Sequence, residues 1–221
     1  MNTISPAPFI EPVIRSDIPS LPLSMNKKNM IYIFVWIFLE DGIYIITHVY
    51  SAIEFYGHSL VRQRELNALH RHLETIYNLN QTNEQSLSVP LIVEGIGCVI
   101  QQGEQYHRVI IKHRESDTRV LVKLVDRGDE LPVDISELLQ LEQRYLTIPA
   151  FAQPFRLTNY DDSQSTTTIT RKFKRLMLNQ SVQITQTSPA IKGFFPVRVQ
   201  LADNSIVNDI LLTNDPIPPV E

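Results

Sequence analysis

A chain of 221 residues, 43% hydrophobic and 20% charged, can bury the core of one ordinary globular domain or of two small interleaved ones. Its formal net charge of −4 gives no overall attraction to a phosphate backbone, so nucleic-acid binding would need a local basic patch. The single cysteine, Cys98, excludes an internal disulfide framework and a Cys-x-x-Cys metal site, which is typical of a reducing cytoplasmic or nuclear setting.

The two ends of the chain are rich in proline. Five of the 14 prolines lie in the first 25 residues and three in the last six, which predicts flexible tails over residues 1–29 and 213–221. The start of the chain lacks the pattern of a signal peptide. The apolar run at residues 30–39 has ten residues, whereas a membrane helix needs about 20. We therefore expect no secretion and no membrane span.

The apolar run itself alternates as a strand from Ile31, and the Asp-Gly pair after it predicts a hairpin turn at residues 40–42. One face of this strand carries four aromatic side chains: Tyr32, Phe34, Trp36 and Phe38. The other face is aliphatic, so both faces need cover from water. Two interpretations remain open: the strand packs between a barrel and a long helix, or its aromatic face binds a partner or a second copy of the chain.

Helical spacing follows. Leu66, Leu69, Leu73, Ile76 and Tyr77 form one apolar stripe, which predicts an amphipathic helix over residues 61–77. Beyond a polar linker, four short strands are predicted in quick succession, the rhythm of a small antiparallel barrel, near residues 91–100, 106–112, 119–125 and 130–134. A helical turn is predicted next, at 135–141, and a strand at 155–160. A helix follows at 168–179, and two strands follow it, at 181–187 and 194–212.

The third of these short strands runs into the turn "DRGD". Asp126 and Gly128 satisfy the chemistry of a turn, because Asp bonds to nearby backbone and Gly tolerates positive φ. Arg127 between them is not dictated by the turn. Its meaning depends on what the surrounding chain forms.

The stretch "HRVIIKHRESDTRVLVKLVDRGDELPVDISELLQL", followed by "YLTIPAFAQPFRL", resembles a Tudor domain. The usual core of that family runs Tyr-Arg-Ala, a variable hairpin, Val-Asp-Tyr-Gly-Asn and a Val-x-x-x-x-Leu turn before Leu-Pro. The upstream "THVYSAIEFYGHSL" with its helix is similar to the segment that precedes the barrel in extended Tudor domains.

This resemblance implies a mainly β fold with some α: a Tudor β-barrel and a split OB-like, staphylococcal-nuclease-like barrel, joined by a long helix. The extended domain would cover residues 30–212, with the Tudor core at about 89–140. The two halves of the split barrel would lie at about 30–78 and 150–212.

The family usually binds methylated arginine in an aromatic cage, and the resemblance places five positions of this chain in that ligand groove: Ile100, His107, Leu124, Arg127 and Asp129. Arg127 stands where the family has a tyrosine, and Asp129 stands where it has an asparagine. Because the aromatic walls are replaced and a cation is added, we expect no methylarginine binding. Alternatively, Arg127 and its neighbouring carboxylates form a solvated ion-pair cluster without function.

Other chemistry is weakly indicated. His70 and His72 point to different faces of a helix, and His48, His58 and His113 have no carboxylate or cysteine at ligand spacing, so we predict no metal site and no cofactor. No phosphate loop or nucleophile motif is present, so we predict no enzyme. The run "TRKFKRL" carries four cations: Arg171, Lys172, Lys174 and Arg175. Such a run is usually the solvated face of a helix, and the alternative is that it contacts RNA.

The sequence therefore predicts a non-catalytic scaffold that binds a protein or unmethylated peptide. By family analogy it would act in small-RNA, piRNA-type germ-granule machinery in the cytoplasm, including perinuclear granules. The alternatives are an RNA-binding module that uses the OB-like barrel with the basic helix face, and a silent architectural domain.

Overall fold

The computed structural model describes residues 40–79, 92–160, 162–164 and 166–212. All of them belong to one compact unit. The two predicted tails lie outside the described residues, as does the predicted aromatic strand with Tyr32, Phe34, Trp36 and Phe38.

Five strands close into a barrel: β1 (Gly42–Ser51), β2 (Glu54–Ser59), β8 (Gln153–Leu157), β9 (Ser181–Gln186) and β10 (Phe195–Gln200). Their order around the barrel is β1-β2-β8-β10-β9. We call this the split barrel, because about 90 residues of chain separate β2 from β8. The neighbours of β1 are β2 and β9, both antiparallel. Residues 31–39, which would form the other strand of the hairpin predicted at residues 40–42, lie outside the described residues.

The residues between β2 and β8 form a second, five-stranded sheet, which we call the inserted sheet. Its strands are β3 (Gly97–Gln102), β4 (Gln105–Arg114), β5 (Arg119–Leu124), β6 (Glu130–Asp134) and β7 (Leu139–Gln140). They lie in the order β6-β5-β4-β3-β7. Four strands were expected here, and the fifth, β7, follows a 3-10 turn at Ile135–Glu137 that stands where a helical turn was predicted.

The predicted amphipathic helix is present as α1 (Gln63–Leu79), which follows a 3-10 turn at Leu60–Arg62. Its stripe of Leu66, Leu69, Leu73 and Tyr77 is buried against the inserted sheet, and the Tyr77 ring stacks on Tyr106. Two separate clusters fill the split barrel and the interior of the inserted sheet. The helix therefore covers the inserted sheet with its apolar face, as its spacing predicts.

Three further helices follow: α2 (Gln143–Leu146), α3 (Thr167–Met177) and α4 (Val207–Leu212). The strand predicted to run from residue 194 to 212 is wrong in its second half, since β10 ends at Gln200. The chain turns there because Asn204 adopts a positive φ of 68° and the Asp203 carboxylate accepts a hydrogen bond from Ser205 N. Asn and Asp favour such turns. None of the helices described by the structure is long and apolar enough to cross a membrane.

Candidate functional site

The predicted turn after β5 is formed by backbone hydrogen bonds around Gly128. Gly128 N donates to Leu124 O over 2.7 Å, and Leu124 N donates to Asp129 O over 2.9 Å. Gly128 has a φ of 96°, which L side chains rarely adopt. The sequence therefore placed the turn and its glycine correctly.

This turn is attached to the split barrel by three contacts. Thr47 Oγ1 donates to Arg127 O over 2.5 Å, and Glu130 N donates to the Tyr50 hydroxyl over 2.9 Å. Between them Gly128 lies on the ring of Tyr56, where an added Cβ would come within 2.2 Å of Tyr56 Cγ. Gly128 is thus required both by its backbone angle and by the close approach of the two sheets.

Lys123 adds a fourth link. Its Nζ donates to the Tyr56 hydroxyl over 2.7 Å and lies 4.1 Å from the centre of the Tyr56 ring. The Tyr56 hydroxyl donates to Glu54 Oε1 over 3.1 Å. Burial lowers the pKa of Lys123 and raises that of Tyr56. The inserted sheet and the split barrel therefore meet at an interface where Lys123, Tyr56 and Glu54 are hydrogen-bonded to one another.

A buried ion pair supports the turn from inside. Arg108 Nη2 lies 2.6 Å from Asp126 Oδ1, and Arg108 Nε donates to Asp126 Oδ2 over 2.9 Å. The Arg108 guanidinium also donates to three carbonyls of the segment before β8, those of Tyr145, Ile148 and Pro149. Neither residue of this pair was among the predicted site residues. The signal was present, because Arg108 occupies the arginine of the Tyr-Arg-Ala motif and Asp126 the aspartate of the Val-Asp motif.

The predicted pair Arg127 and Asp129 lies at the surface of the same turn. Arg127 Nη2 is 3.2 Å from Asp129 Oδ2, and Arg127 Nη1 donates to Gln102 Oε1 over 3.2 Å. The side chains of Arg127 and Asp129 are 39% and 14% exposed. The guanidinium therefore bridges the turn to the end of β3 and remains open to solvent on one side.

Ile100 and Leu124 occupy different surroundings from those predicted. Each is 1% exposed and packs in the interior of the inserted sheet, with Cys98, Val109 and Ile111. The apolar groove wall predicted at these positions is corrected: strand alternation directs both side chains into the core of the inserted sheet rather than toward a ligand. Among the five predicted positions, Arg127 presents the most surface, whereas the Asp129 side chain is 14% exposed and its Oδ1 atom is buried.

His107 is 4% exposed, and its ring meets that of His70 on α1 edge-on, with the centroids 5.5 Å apart. Burial lowers the pKa of His107 to about 4, and His70 and Arg127 add to the effect. Burial also lowers the pKa of His58 and His70. Across the described ranges, no group of three or more His, Cys, Asp or Glu side chains is arranged to hold a metal ion.

The aromatic side chains near the turn come from the split barrel. Phe194, Tyr56, Tyr50 and His48 form a row whose successive ring centroids are 6.2, 6.2 and 4.3 Å apart. Tyr56 is buried beneath Gly128, whereas Tyr50 is 38% exposed. This row was not predicted. The available signal was the spacing of His48 and Tyr50, two residues apart on one predicted strand and thus on one face.

The predicted basic run lies on α3. Arg171, Lys174 and Arg175 are exposed, while Lys172 Nζ donates to Ile210 O over 2.8 Å. Phe173, Leu176 and Met177 of the same helix are buried in the split barrel. Three of the four predicted cations are therefore displayed on the surface.

Comparison with known proteins identifies the class of protein to which this arrangement belongs. The model of the Tudor domain family matches residues 41–159, more than half of the chain. The chain therefore belongs to the Tudor domain family. No curated protein sequence matches it.

Solved structures agree on the fold of the whole described unit. The human TDRD1 extended Tudor domain, in complex with a symmetrically dimethylated peptide, is 20% identical with a TM-score of 0.72. The match covers 87% of this chain and 98% of that chain. The mouse TDRD1 extended Tudor domain TD3, bound to a MILI peptide containing dimethylarginine, is 17% identical with a TM-score of 0.71. That match covers 81% of this chain and 94% of that chain. The Drosophila melanogaster Papi extended Tudor domain, with an unmethylated Piwi N-terminal peptide, is 15% identical with a TM-score of 0.67. That match covers 79% of this chain and 96% of that chain.

The fold is thus that of an extended Tudor domain, mainly β with a few helices. The inserted sheet is the Tudor part, and the split barrel is the OB-like part. The resemblance found in the sequence is confirmed.

Proposed function

We propose that this chain is a non-catalytic interaction module that binds an unmodified peptide segment of a partner protein at the turn of residues 126–130. One observation carries the proposal: Arg127, which the resemblance in the sequence aligns with a tyrosine of the family's ligand cage, has a side chain that is 39% exposed. Asp129 and Gln102 orient this guanidinium, so its donors are presented in a defined direction. Arg127 therefore offers the donors of the site, and Asp129 holds it through Oδ2.

Methylarginine is disfavoured at this position on energetic grounds. Each aromatic face that is lost removes about 0.5–2 kcal/mol of cation–π attraction. A fixed cation about 4 Å from a ligand cation adds about 1–4 kcal/mol of repulsion at dielectric constants between water and a protein surface. Asp129 offsets part of this repulsion, but it replaces none of the aromatic walls.

A ligand carboxylate or main-chain carbonyl suits Arg127 better. A guanidinium can form two parallel hydrogen bonds with a carboxylate, which are stronger and more directional than a neutral hydrogen bond. Arg127 already makes one contact with Asp129 and one with Gln102, both at 3.2 Å. A ligand would therefore exchange the long Gln102 contact for a charged one. The preference at Arg127 is for an acidic or neutral residue.

The cellular setting we propose is the small-RNA, piRNA-type machinery of germ granules, in the cytoplasm and around the nucleus. Support comes from the similar structures, which hold MILI, Piwi and Aubergine peptides. Within such machinery the chain would serve as a scaffold rather than as a reader of arginine methylation.

Calorimetry with matched peptides tests the proposal. A pull-down with mass spectrometry supplies the partner, and its binding segment is then made with arginine and with symmetrically dimethylated arginine. We expect methylation to give no gain in affinity and Arg127→Tyr to weaken the native segment. Tight binding that depends on methylation contradicts the proposal. Unchanged affinity in an Arg127→Ala, Asp129→Ala double variant contradicts the site.

RNA binding is the second candidate function, because Arg171, Lys174 and Arg175 are exposed on α3. Arg198 also lies in a shallow cavity of about 340 Å³ on β9 and β10, beside Gln183, Thr185 and Gln200. Filter binding at two salt concentrations tests it. A steep salt dependence that disappears when the cations of 171–175 are replaced favours RNA. If neither peptide nor RNA binds, the chain is an architectural domain.

A further inference from the structure

The outward face of α3 carries three cations and no carboxylate. Arg171, Lys174 and Arg175 are exposed, and the helix sequence from Thr167 to Met177 contains no Asp or Glu. None of the three cations forms an ion pair with a carboxylate of the described residues. The helix dipole accounts for Lys174 and Arg175, which lie in the last turn, but not for Arg171. The described part of the chain therefore leaves this positive face without a negative partner.

β1 links this helix to the turn that carries Arg127. Directly after α3, Asn179 N donates to Ile46 O over 2.8 Å, and Ile46 N donates to Gln180 O over 3.0 Å. The next residue of β1, Thr47, donates to Arg127 O through its Oγ1 atom. The end of α3 and the turn are therefore attached to adjacent residues of β1.

A β-bulge exposes β1 between these two attachments. The register of β1 against β2 shifts just before His48. Thr47 and His48 are both half-buried, although neighbouring residues of a regular strand point to opposite faces. Burial is the main cause that lowers the pKa of His48, and Lys174 and Arg127 lower it further. The two cations therefore act on one ring, Lys174 from α3 and Arg127 from the turn.

Carboxylates interrupt the positive charge beside the turn. Asp129 pairs with Arg127, and Glu54 accepts a hydrogen bond from the Tyr56 hydroxyl. Both carboxylates oppose the effect of burial on the pKa of His48, so they too lie near this ring. An RNA backbone, which carries a charge on every phosphate, would meet them. A peptide can place acidic side chains at the two cationic regions and neutral residues between them, so the arrangement suits an acidic peptide better than RNA.

We propose that Arg171, Lys174 and Arg175 form a second subsite, which binds acidic side chains of the same ligand that contacts Arg127. The inference rests on the proposed function and names the class of its ligand, an acidic peptide segment. The ligand runs from the turn past His48 to the outward face of α3. Single surface ion pairs are weak, so several of them on one chain supply the affinity.

NMR titration of the full chain with short probes tests the subsite. The probes are acetyl-hexaglutamate amide, hexauridylate and acetyl-hexaglutamine amide, a neutral peptide of the same length and nearly the same side-chain shape. We expect hexaglutamate to shift the ring signals of His48 and the side-chain Nε–H signals of three arginines, Arg127, Arg171 and Arg175. Hexaglutamine should shift none of them at the same concentration. An equal response to both peptides overturns the proposal, because charge would then not select the ligand.

Variants compare the cations of α3 with cations elsewhere. The double variant Arg171→Gln, Lys174→Gln removes two exposed charges from α3 and keeps residues that favour a helix. The matched control is Arg64→Gln, Arg71→Gln, which removes two exposed cations from α1. We expect the α3 variant to weaken hexaglutamate binding about two- to thirtyfold, the factor for two exposed ion pairs. The control should leave the affinity unchanged, and equal affinities in the two variants overturn the proposal.

The same titration keeps the two proposals distinguishable. A shift at Arg127 with none at Arg171 or Arg175 overturns the subsite and leaves the proposed function standing. A shift on α3 with none at Arg127 overturns the inference too, since the two regions would not share a ligand, and it also counts against the proposed function. Hexauridylate that binds more tightly than hexaglutamate and shifts the same arginines overturns the inference in favour of RNA.

Discussion

Two arginine–aspartate pairs meet at the turn after β5, and they differ in their burial and in the distance between their charged atoms. Arg108 and Asp126 are 0% and 4% exposed, with their closest charged atoms 2.6 Å apart. Arg127 and Asp129 are 39% and 14% exposed and 3.2 Å apart. Asp126 and Arg127 are adjacent in sequence, yet one side chain turns into the protein and the other out to solvent.

The comparison separates architecture from recognition. The buried pair is satisfied by the protein alone, since Arg108 also binds three carbonyls and Asp126 accepts from Phe151 N. Little of it is left for a ligand. The surface pair is held by single long contacts and contributes little to stability, so the donors of the Arg127 guanidinium are available to another molecule.

Loss of the buried Arg108–Asp126 pair should cause the largest decrease in the free energy of unfolding. Arg108→Met leaves the Asp126 carboxylate buried without its cation and leaves three carbonyls without donors, so we expect a loss of about 3–5 kcal/mol in the free energy of unfolding. Urea denaturation followed by circular dichroism measures it. Arg127→Met is the matched control. A loss below about 1 kcal/mol for Arg108→Met would show that the buried pair is not structural.

Gly128→Ala should cause the second-largest loss in the free energy of unfolding. The new Cβ meets the Tyr56 ring at 2.2 Å, and the residue must keep a φ of 96°, so we expect a loss of about 2–4 kcal/mol. Gly103→Ala is a sharp control, because Gly103 also has a positive φ but nothing lies within 4 Å of its added Cβ. Its cost should be about 1 kcal/mol, that of the backbone strain alone. Equal losses in the two variants would mean that the contact with Tyr56 is unimportant.

Acid should weaken the fold through His107. Its pKa falls from 6.5 when unfolded to about 4 when folded, so the unfolded chain binds the proton more readily. The contribution of neutral His107 to the free energy of unfolding is fully present above pH 6.5. It is lost as the pH falls toward 4, a loss of about 2–3 kcal/mol. Unfolding free energies measured between pH 7 and 4 should show a shallower slope in His107→Phe. An unchanged slope would place the acid sensitivity elsewhere, with His58 and His70 as the next candidates.

The surface pair should give the smallest effect. We expect Arg127→Ala to cost about 0.2–1 kcal/mol of stability, and less at high salt, because a half-exposed pair is screened by water and ions. Urea denaturation at two salt concentrations measures this. A loss above about 2 kcal/mol would make Arg127 part of the architecture and erase the contrast with Arg108.

The sequence predicted features that depend on local patterns. The stripe of α1, the strands β3 to β6 and the glycine turn are all present near their predicted positions. The order of these elements carried the resemblance to extended Tudor domains, which the family match confirms. Local periodicity and turn chemistry are sufficient for this level of description.

Side-chain direction at the site was harder to predict. Ile100 and Leu124 were assigned to a groove but lie in the core, because a shift of one residue along a strand reverses the face on which every side chain lies. The row from His48 to Phe194 joins segments that are far apart in sequence, so local spacing indicates only its His48–Tyr50 part. The role of Arg108 depends on carbonyls contributed by the segment before β8.

The division of the split barrel into two sequence segments sets the order in which the ribosome completes the protein. β1 and β2 are made first, and the inserted sheet follows with strands that pair with near neighbours in the chain. The partners of β1 and β2 across the barrel, β9 and β8, are synthesised about 100 to 140 residues later. Until then the hairpin of β1 and β2 has open edges and an uncovered apolar face, the kind of surface that chaperones protect. A chain that stops after the inserted sheet therefore carries the five strands of that sheet, without the carbonyls that hold Arg108, beside half of a barrel.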